Sequence, residues 1–286
     1  MSETPGLVFP PPGRWPDRPH VVVFKSVTKT YARGTAREFT AIKDINFYVE
    51  DVPHVGEFIA ILGPSGCGKS TILRILAGLG PQFPATTGKV TVLGKPVLGP
   101  GADRGMVFQE YTAFDNRTVL DNVAFGLECA GVSRQERRER AMMWIEKVGL
   151  NPVRDAAKYP HELSGGMRQR VAIARTLILN PRIVLMDEPF GALDPMTRLR
   201  MQDQIIDLWD ETEATVFFVT HSIEEAVFLG DRIYLLSSAP GTIVEEIHTP
   251  RTGGSAVVAQ SRPDFVERVG YVREKIAKME EAAGVE

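Results

Sequence analysis

The chain has 286 residues, enough for one large domain or two small ones, and 43% of them are hydrophobic, as in a globular protein with a sizeable core. Its formal net charge of −3 excludes the strongly basic surface of a protein that coats nucleic acid. No apolar run approaches the roughly 18 residues of a membrane-spanning helix, so any role at a membrane requires a membrane-embedded partner.

The beginning of the sequence predicts a flexible leader. Residues 1–19 are rich in proline and lack the basic and then apolar segments of a secretory signal. The chain has two cysteines, one of them in a glycine-rich loop, which is no disulfide framework. We therefore expect a reducing, cytoplasmic setting.

A small, mainly β region follows between residues 20 and 62, where apolar and polar residues alternate. Tyr31 ends one of these stretches. A single tyrosine is more often a sheet-packing residue, but an aromatic ring can also stack on a nucleobase. Both interpretations stay open at this point.

The strongest signal is the glycine-rich segment between the apolar run 58–62 and the helical run 72–77. This is the strand, G-x-x-x-x-G-K-S, helix order of a P-loop, in which backbone N–H groups and the helix dipole converge on a phosphate. Lys69 is expected to reach the β- and γ-phosphates, and the Ser70 hydroxyl to ligate Mg²⁺. The predicted nucleoside triphosphate site comprises Gly63, Pro64, Ser65, Gly66, Cys67, Gly68, Lys69, Ser70 and Thr71.

The next part of the chain predicts two strands and then a helical insert. Residues 88–94 and 104–109 have strand patterns, and the second ends at Gln109. From residue 118 to 150 the pattern is helical. We expect one apolar helix face formed by Val119, Val123, Leu127 and Cys129, and a solvated face for the charged run 134–140.

A second candidate anion-binding surface begins at Ser164, just before the helical run 171–177. Ser164 can cap this helix, and Gly165 and Gly166 leave N–H groups accessible at its positive end. By itself the stretch could be an ordinary glycine-rich cap. A chain that already binds phosphate in a P-loop has an obvious use for a second donor surface.

Polar residues also follow two buried strands. Asp187 and Glu188 end the run 182–187, and His221 ends the run 215–220, at the sheet edge where ligands bind in parallel folds. Asp187 is placed to hold Mg²⁺, Glu188 to accept a proton from an attacking water, and His221 to hold the γ-phosphate or that water.

The last part of the chain continues the α/β alternation. A helix over 223–229 and strands over 232–236 and 242–247 are predicted. Residues 264–279 have apolar side chains at three- and four-residue steps, which predicts an amphipathic helix packed on its own domain, with docking to a partner as the alternative.

Together these motifs resemble the ATP-binding subunit of an ABC transporter, and the run from Leu163 to Met167 is specific to that family. The resemblance implies an α/β P-loop ATPase with a mixed, largely parallel core sheet, an N-terminal antiparallel β subdomain and an inserted helical subdomain. The implied boundaries are 1–19 for the leader, 20–249 for the ATPase domain with its helical part at about 112–179, and 250–286 for the C-terminal tail.

The resemblance also assigns roles to single residues. The implied catalytic residues are Glu188 as general base, His221 as switch histidine, Gln109, which also senses the permease, and Lys69. ATP is expected to contact the P-loop and Tyr31, which stacks on adenine, and, from a second copy, Ser164, Gly165, Gly166 and Asp194. Mg²⁺ is expected at Ser70, Gln109 and Asp187.

Residues 99–105, 107–111 and 236–241 further resemble the ATPases of nitrate, sulfonate, taurine and bicarbonate importers. This group implies ATP and Mg²⁺ as cofactors and a homodimer, or a paired ATPase subunit, at the cytoplasmic face of the inner membrane. The implied partners are a transmembrane permease and an extracytoplasmic solute-binding protein, with no nucleic acid.

Three alternatives to an importer of this group are considered by what each would require of the sequence. A cassette serving a lipid, metal or other transporter differs only in its partner. A DNA-repair ATPase of this family needs a long coiled-coil insertion between Gln109 and Ser164, where none is present, and a translation-type member usually carries two cassettes. The sequence does not identify the solute.

Overall fold

The structure is a computed structural model that describes residues 19–52, 55–110, 112–191, 193–210, 212–250 and 254–282. Apart from Pro19, the predicted leader lies outside the described residues. The chain divides into two compact units. The first comprises the described residues up to Gly101 and those from Thr215 onward, and the second spans Ala102–Ala214.

The elements follow one another in chain order. They are β1 (His20–Tyr31), β2 (Phe39–Glu50), β3 (Phe58–Leu62), α1 (Lys69–Ala77), β4 (Thr87–Val92), β5 (Lys95–Pro96), β6 (Arg104–Val107), α2 (Val119–Cys129), α3 (Arg134–Lys147), α4 (Pro152–Asp155), a 3₁₀ turn (Pro160–Glu162), α5 (Gly165–Leu177), β7 (Ile183–Asp187), α6 (Pro195–Asp210), β8 (Thr215–Thr220), α7 (Ile223–Leu229), β9 (Arg232–Leu236), β10 (Ile243–His248), α8 (Ala256–Gln260) and α9 (Pro263–Ala282).

The first unit contains an antiparallel sheet and a mixed sheet. The antiparallel sheet has the order β2-β1-β4-β5. In the mixed part, β3 pairs in parallel with both β8 and β9, while β10 is antiparallel to β9. Every residue of β3, β8 and β9 is buried, which is why the sequences of these strands are mostly apolar. The core of this unit therefore lies around the strand that leads into the glycine loop.

The second unit combines a parallel strand pair with helices. Strand β6 pairs in parallel with β7, and α2, α3 and α5 pack on one another. Helix α2 begins at Thr118, whose side chain accepts a hydrogen bond from the Asp121 N–H. Helix α3 begins in the same way at Ser133, which caps the Glu136 N–H.

The α/β fold with a mixed sheet and an antiparallel β sheet confirms the predicted fold class. Two details differ from the prediction. Cys129 is exposed, because it lies two residues beyond Leu127 and so faces away from the buried side of α2. Helix α6 was not predicted, although Met201, Ile205 and Leu208 recur at helical spacing and are buried.

The C-terminal helix was predicted to pack on its own domain, and α9 does contact α7 within the first unit. Its residues Phe265, Val269 and Val272 are buried. Among the helices of the described residues, none combines the length and the apolar character needed to cross a bilayer.

Candidate active site

The glycine loop between β3 and α1 has the backbone conformation that its sequence predicts. Gly66 and Gly68 have φ values of 78° and 94°, which side chains other than glycine rarely adopt. At Gly68 a Cβ would lie 2.3 Å from Ile42 Cγ2 and 3.0 Å from the Ala41 carbonyl oxygen, so a larger residue there must displace the Ile42 side chain. Around Gly66 there is open space. The loop is thus open around Gly66 and tightly packed against β2 at Gly68.

The Lys69 side chain lies along this loop. Its ammonium donates to the carbonyl oxygens of Gly63 at 2.8 Å and Pro64 at 2.9 Å, and the residue is only 6% exposed. The neighbouring Cys67 side chain is buried, and burial raises the pKa of its thiol. A neutral thiol adds no negative charge that would oppose a bound phosphate.

A second segment of the first unit, at Gly241, contacts the P-loop. Gly241 pairs with β2, because its N–H donates to the Ala41 carbonyl at 2.8 Å and its own carbonyl accepts from the Lys43 N–H at 2.9 Å. A Cβ at Gly241 would lie 1.9 Å from the Cys67 carbonyl oxygen. This contact was not predicted, since the sequence shows only a turn-like Pro-Gly pair at positions 240 and 241.

Tyr31 lies close to helix α1, and its stacking on adenine remains a prediction. It ends β1, and its hydroxyl is 3.3 Å from the Thr71 Oγ1 at the start of α1. The ammonium of Lys29 lies 5.3 Å from the centre of the Tyr31 ring. In the antiparallel sheet Tyr31 is directly opposite Phe39, which is 49% exposed.

His221 also lies at the P-loop edge of the first unit. In the parallel pairing of β3 with β8, Leu62 is opposite Thr220. Gly63 and His221 are therefore the next residues beyond the ends of neighbouring parallel strands. The His221 side chain is exposed, and His221 is separated from helix α7 only by the capping residue Ser222.

The second unit brings Gln109 and Glu188 together. Strands β6 and β7 are parallel with Val107 opposite Met186, so both residues follow strand ends. The Gln109 Nε2 donates to the Glu188 Oε2 at 3.2 Å. Glu188 has a φ of 46°, a conformation uncommon for a residue with a long side chain, and such strain often occurs at functional sites. Asp187 is 1% exposed.

The second candidate anion-binding surface begins helix α5. The Ser164 side chain accepts a hydrogen bond from the Met167 N–H at 3.3 Å, as expected of a helix cap, and Ser164 is exposed. Further along α5, the fully buried Gln169 donates to the Pro189 carbonyl. This hydrogen bond, which was not predicted, links α5 to the turn that follows Glu188.

Asp194 caps the unpredicted helix α6. Its Oδ1 accepts from the Thr197 N–H at 3.1 Å, and hydrogen bonds from Thr197 lower the pKa of the Asp194 carboxyl. The residue is exposed. Its contacts within the chain are those of a structural cap, and its predicted role at a second copy remains a prediction.

The segment after Gln109 is fixed by a buried asparagine. The Asn122 side chain accepts from the Phe114 N–H at 2.8 Å and donates to the carbonyls of Phe114, Arg117 and Thr118. The half-exposed Phe114 ring lies 4.6 Å from that of Phe125, measured between centroids. The guanidinium groups of Arg117 and Arg175 lie near it.

The predicted site residues thus fall into two groups. The first unit holds the P-loop, Tyr31 and His221, and the second holds Gln109, Ser164, Asp187, Glu188 and Asp194. The Ser70 hydroxyl in the first unit, and the Asp187 carboxylate and Gln109 amide in the second, are each hard oxygen ligands of the kind that Mg²⁺ prefers. A strand, a glycine loop with its lysine and a helix in this order define a P-loop nucleoside triphosphatase.

Comparison with known proteins identifies the family. The family model described as "ABC transporter" matches residues 42–191, about half of the chain. An uncharacterized ABC transporter ATP-binding protein of Methanocaldococcus jannaschii is 55% identical over 72% of this chain and 73% of its own length. The nitrate import ATP-binding protein NrtD of Synechocystis sp. is 50% identical over 75% of this chain and 77% of its own.

Two further similarities agree with this result. The taurine import ATP-binding protein TauB of Rhizobium johnstonii is 46% identical over 83% of this chain and 89% of its own. A dimeric post-hydrolysis structure of the ATP-binding cassette MJ0796, bound to ADP and Pi, superposes with a TM-score of 0.67 at 35% identity, covering 79% and 98% of the two chains. The chain therefore belongs to the ABC transporter family, and it is an ATP-binding subunit that hydrolyses ATP.

Proposed function

We propose that this chain drives a membrane importer of small anionic solutes through ATP-dependent closing and opening of a head-to-tail dimer. The observation that carries the proposal is that the two anion-binding surfaces belong to different compact units, the P-loop to the first and the Ser164 helix to the second. Two copies arranged head to tail can each offer one surface to an ATP held by the other. The cassette to which this chain is similar is dimeric, which supports the pairing of two copies.

Binding of the triphosphate follows from the loop geometry. The Lys69 ammonium exchanges its hydrogen bonds to the Gly63 and Pro64 carbonyls for bonds to phosphate oxygens, where its charge is worth more. The loop N–H groups and the α1 dipole stabilise the same charge. Ser70 and Asp187 would hold Mg²⁺, which neutralises phosphate charge when bound. Tyr31 stacks on the adenine ring.

Hydrolysis follows from the pair of side chains in the second unit. The Glu188 carboxylate accepts a proton from the attacking water, and the hydrogen bond from Gln109 holds this carboxylate in one orientation. His221 contacts the γ-phosphate or the water from the first unit. Loss of the γ-phosphate removes charge that holds the two copies together, and the dimer opens.

Coupling to a permease involves the segment that follows Gln109. Asn122 fixes its backbone, and Phe114 offers an exposed aromatic surface bordered by two arginines. A rigid segment with an aromatic anchor suits a protein interface. The chain would then work at the cytoplasmic face of the membrane.

The solute class is inferred from relatives. NrtD and TauB are named for the import of nitrate and of taurine, both small solutes with an anionic group. An extracytoplasmic solute-binding protein would deliver the solute to the permease. The relatives favour this class over a lipid or metal transporter.

The test of ATP-driven dimerisation is the substitution Glu188→Gln. We expect this variant to bind ATP with unchanged affinity, to accumulate an ATP-dependent dimer in size-exclusion chromatography, and to release no phosphate above background. Lys69→Ala is the matched control that does not bind ATP and stays monomeric. Hydrolysis by Glu188→Gln at the wild-type rate would refute the assignment of the base.

The test of the transported solute uses the chain co-purified with its permease in proteoliposomes, with the solute-binding protein added outside. Uptake of labelled nitrate or taurine that depends on internal ATP supports the importer class. Uptake of neither solute, with outward movement of lipid instead, contradicts it.

A further inference from the structure

The residues on both sides of His221 belong to a ring of hydrogen bonds in the first unit. The Thr220 Oγ1 accepts from the Ser222 N–H at 3.0 Å and donates to the Glu225 Oε2 at 2.5 Å. The Ser222 Oγ in turn accepts from the Glu225 N–H at 3.2 Å. One hydroxyl thereby connects the residues on both sides of His221 to the first turn of α7.

This ring is an expanded form of a common helix cap. In a capping box, the Glu at the third helical position accepts directly from the N–H of the capping Ser. Here the Glu225 carboxylate accepts from the Thr220 hydroxyl, and that hydroxyl receives the Ser222 N–H. The Thr220 hydroxyl thus lies between the two partners of an ordinary capping box, and the cap includes the residues on both sides of His221.

The ring is buried although His221 is exposed. Thr220 is 2% exposed and Glu225 6%, whereas the His221 side chain faces solvent. Thr220 is also paired with Leu62, the last residue of the strand that enters the P-loop. The hydrogen bonds therefore fix the backbone on both sides of His221 relative to the strand that carries the phosphate loop.

We propose that Thr220 and Glu225 are positioning residues for His221, which act by holding its backbone in one turn beside the P-loop. The inference rests on the proposed contact of His221 with the γ-phosphate or the water. Helix α7 has seven residues, and so short a helix depends on its cap and its packing to form. Without the Thr220 hydroxyl the Ser222 N–H and the Glu225 carboxylate both lose their partner in the ring, and the turn at His221 loosens.

The experiment compares Thr220→Val, which keeps the shape of the side chain, with Thr220→Ser, which keeps the hydroxyl. We expect Thr220→Val to lower kcat for ATP about 10- to 100-fold, a loss typical of a catalytic group displaced by about 1 Å. The dissociation constant for ATP, measured by calorimetry, should stay within about twofold, because the P-loop is intact. Hydrogen exchange should accelerate at the amides of residues 221–226, and Thr220→Ser should restore both kcat and protection.

Two controls keep the outcomes distinct. Thr215→Val alters a buried threonine at the far end of the same strand, and we expect it to leave kcat and exchange at 221–226 unchanged. His221→Ala measures the role of the histidine itself. Wild-type kcat in Thr220→Val while His221→Ala is inactive would overturn the positioning role alone. Wild-type hydrolysis in His221→Ala would overturn the proposed role of His221 and this inference with it.

Discussion

The substitution Gly241→Ala tests whether the contact of Gly241 with the P-loop determines the geometry of the nucleotide site. The added Cβ would lie 1.9 Å from the Cys67 carbonyl oxygen, whereas Cβ contacts below 3.0 Å essentially never occur. The two segments must therefore separate by at least 3.0 − 1.9 = 1.1 Å. The two atoms nearest to the added Cβ are the carbonyl oxygen and carbon of Cys67. Both belong to the backbone, so no side-chain rotation relieves the overlap.

We expect the P-loop to move, and the segment at Gly241 to stay in place. Gly241 is held to β2 by two backbone hydrogen bonds, from the Lys43 N–H and to the Ala41 carbonyl, each shorter than the 3.4 Å bond from the Cys67 N–H to the Pro64 carbonyl. A shift of about 1 Å in a catalytic site costs on the order of 100-fold in kcat. Overpacking of this kind also lowers the free energy of unfolding by about 1–3 kcal/mol.

The assay measures ATP affinity by calorimetry, kcat by phosphate release and stability by chemical denaturation. Gly99→Ala is the matched control, since its Cβ would have nothing within 4 Å and should leave all three quantities unchanged. A Gly241→Ala protein with wild-type affinity and kcat would refute the reasoning, even if its stability fell. In that case the turn at 239–241 would yield instead of the P-loop.

Two further predictions concern buried charges. Replacing Arg232 by Met should lower the free energy of unfolding by about 3–5 kcal/mol in urea denaturation, because Glu57, whose pKa burial already raises, loses its bidentate partner; an unchanged midpoint would contradict this. Hydrogen bonds from Arg154 lower the pKa of Asp155, so its carboxylate stabilises the fold above about pH 4 and this contribution fades as the pH falls further. The stability difference between wild type and Asp155→Asn, followed by urea denaturation, should thus be full at pH 7 and shrink below about pH 4, whereas a pH-independent difference would exclude the ionic explanation.

The parts of the site that sequence alone predicts are those set by contiguous residues. The P-loop needs glycines at positive φ, a lysine and a following helix within nine positions, and each requirement can be read locally. Glu188 and His221 were predicted because each follows a mostly apolar strand, and ligands bind at the carboxyl ends of such strands in parallel folds. Helix α6 was not predicted, although its sequence signals are equally local. The spacing of its apolar residues and the Asp194-Pro195 start are both standard helix signals.

The contacts that shape the site from outside the motifs could not be predicted in this way. Arg232 and Glu57 are 175 positions apart, and neither residue alone indicates a buried pair. Gly241 looks like an ordinary turn glycine until the Cys67 carbonyl is found against it. The Ser222-x-x-Glu225 spacing does indicate a capping box, but only the structure shows the Thr220 hydroxyl inserted within it. A motif specifies which groups react, whereas contacts of this kind decide how accurately those groups are held. Substitutions at Gly241 and Thr220 therefore test the contribution of the fold to catalysis, because they alter no reacting group.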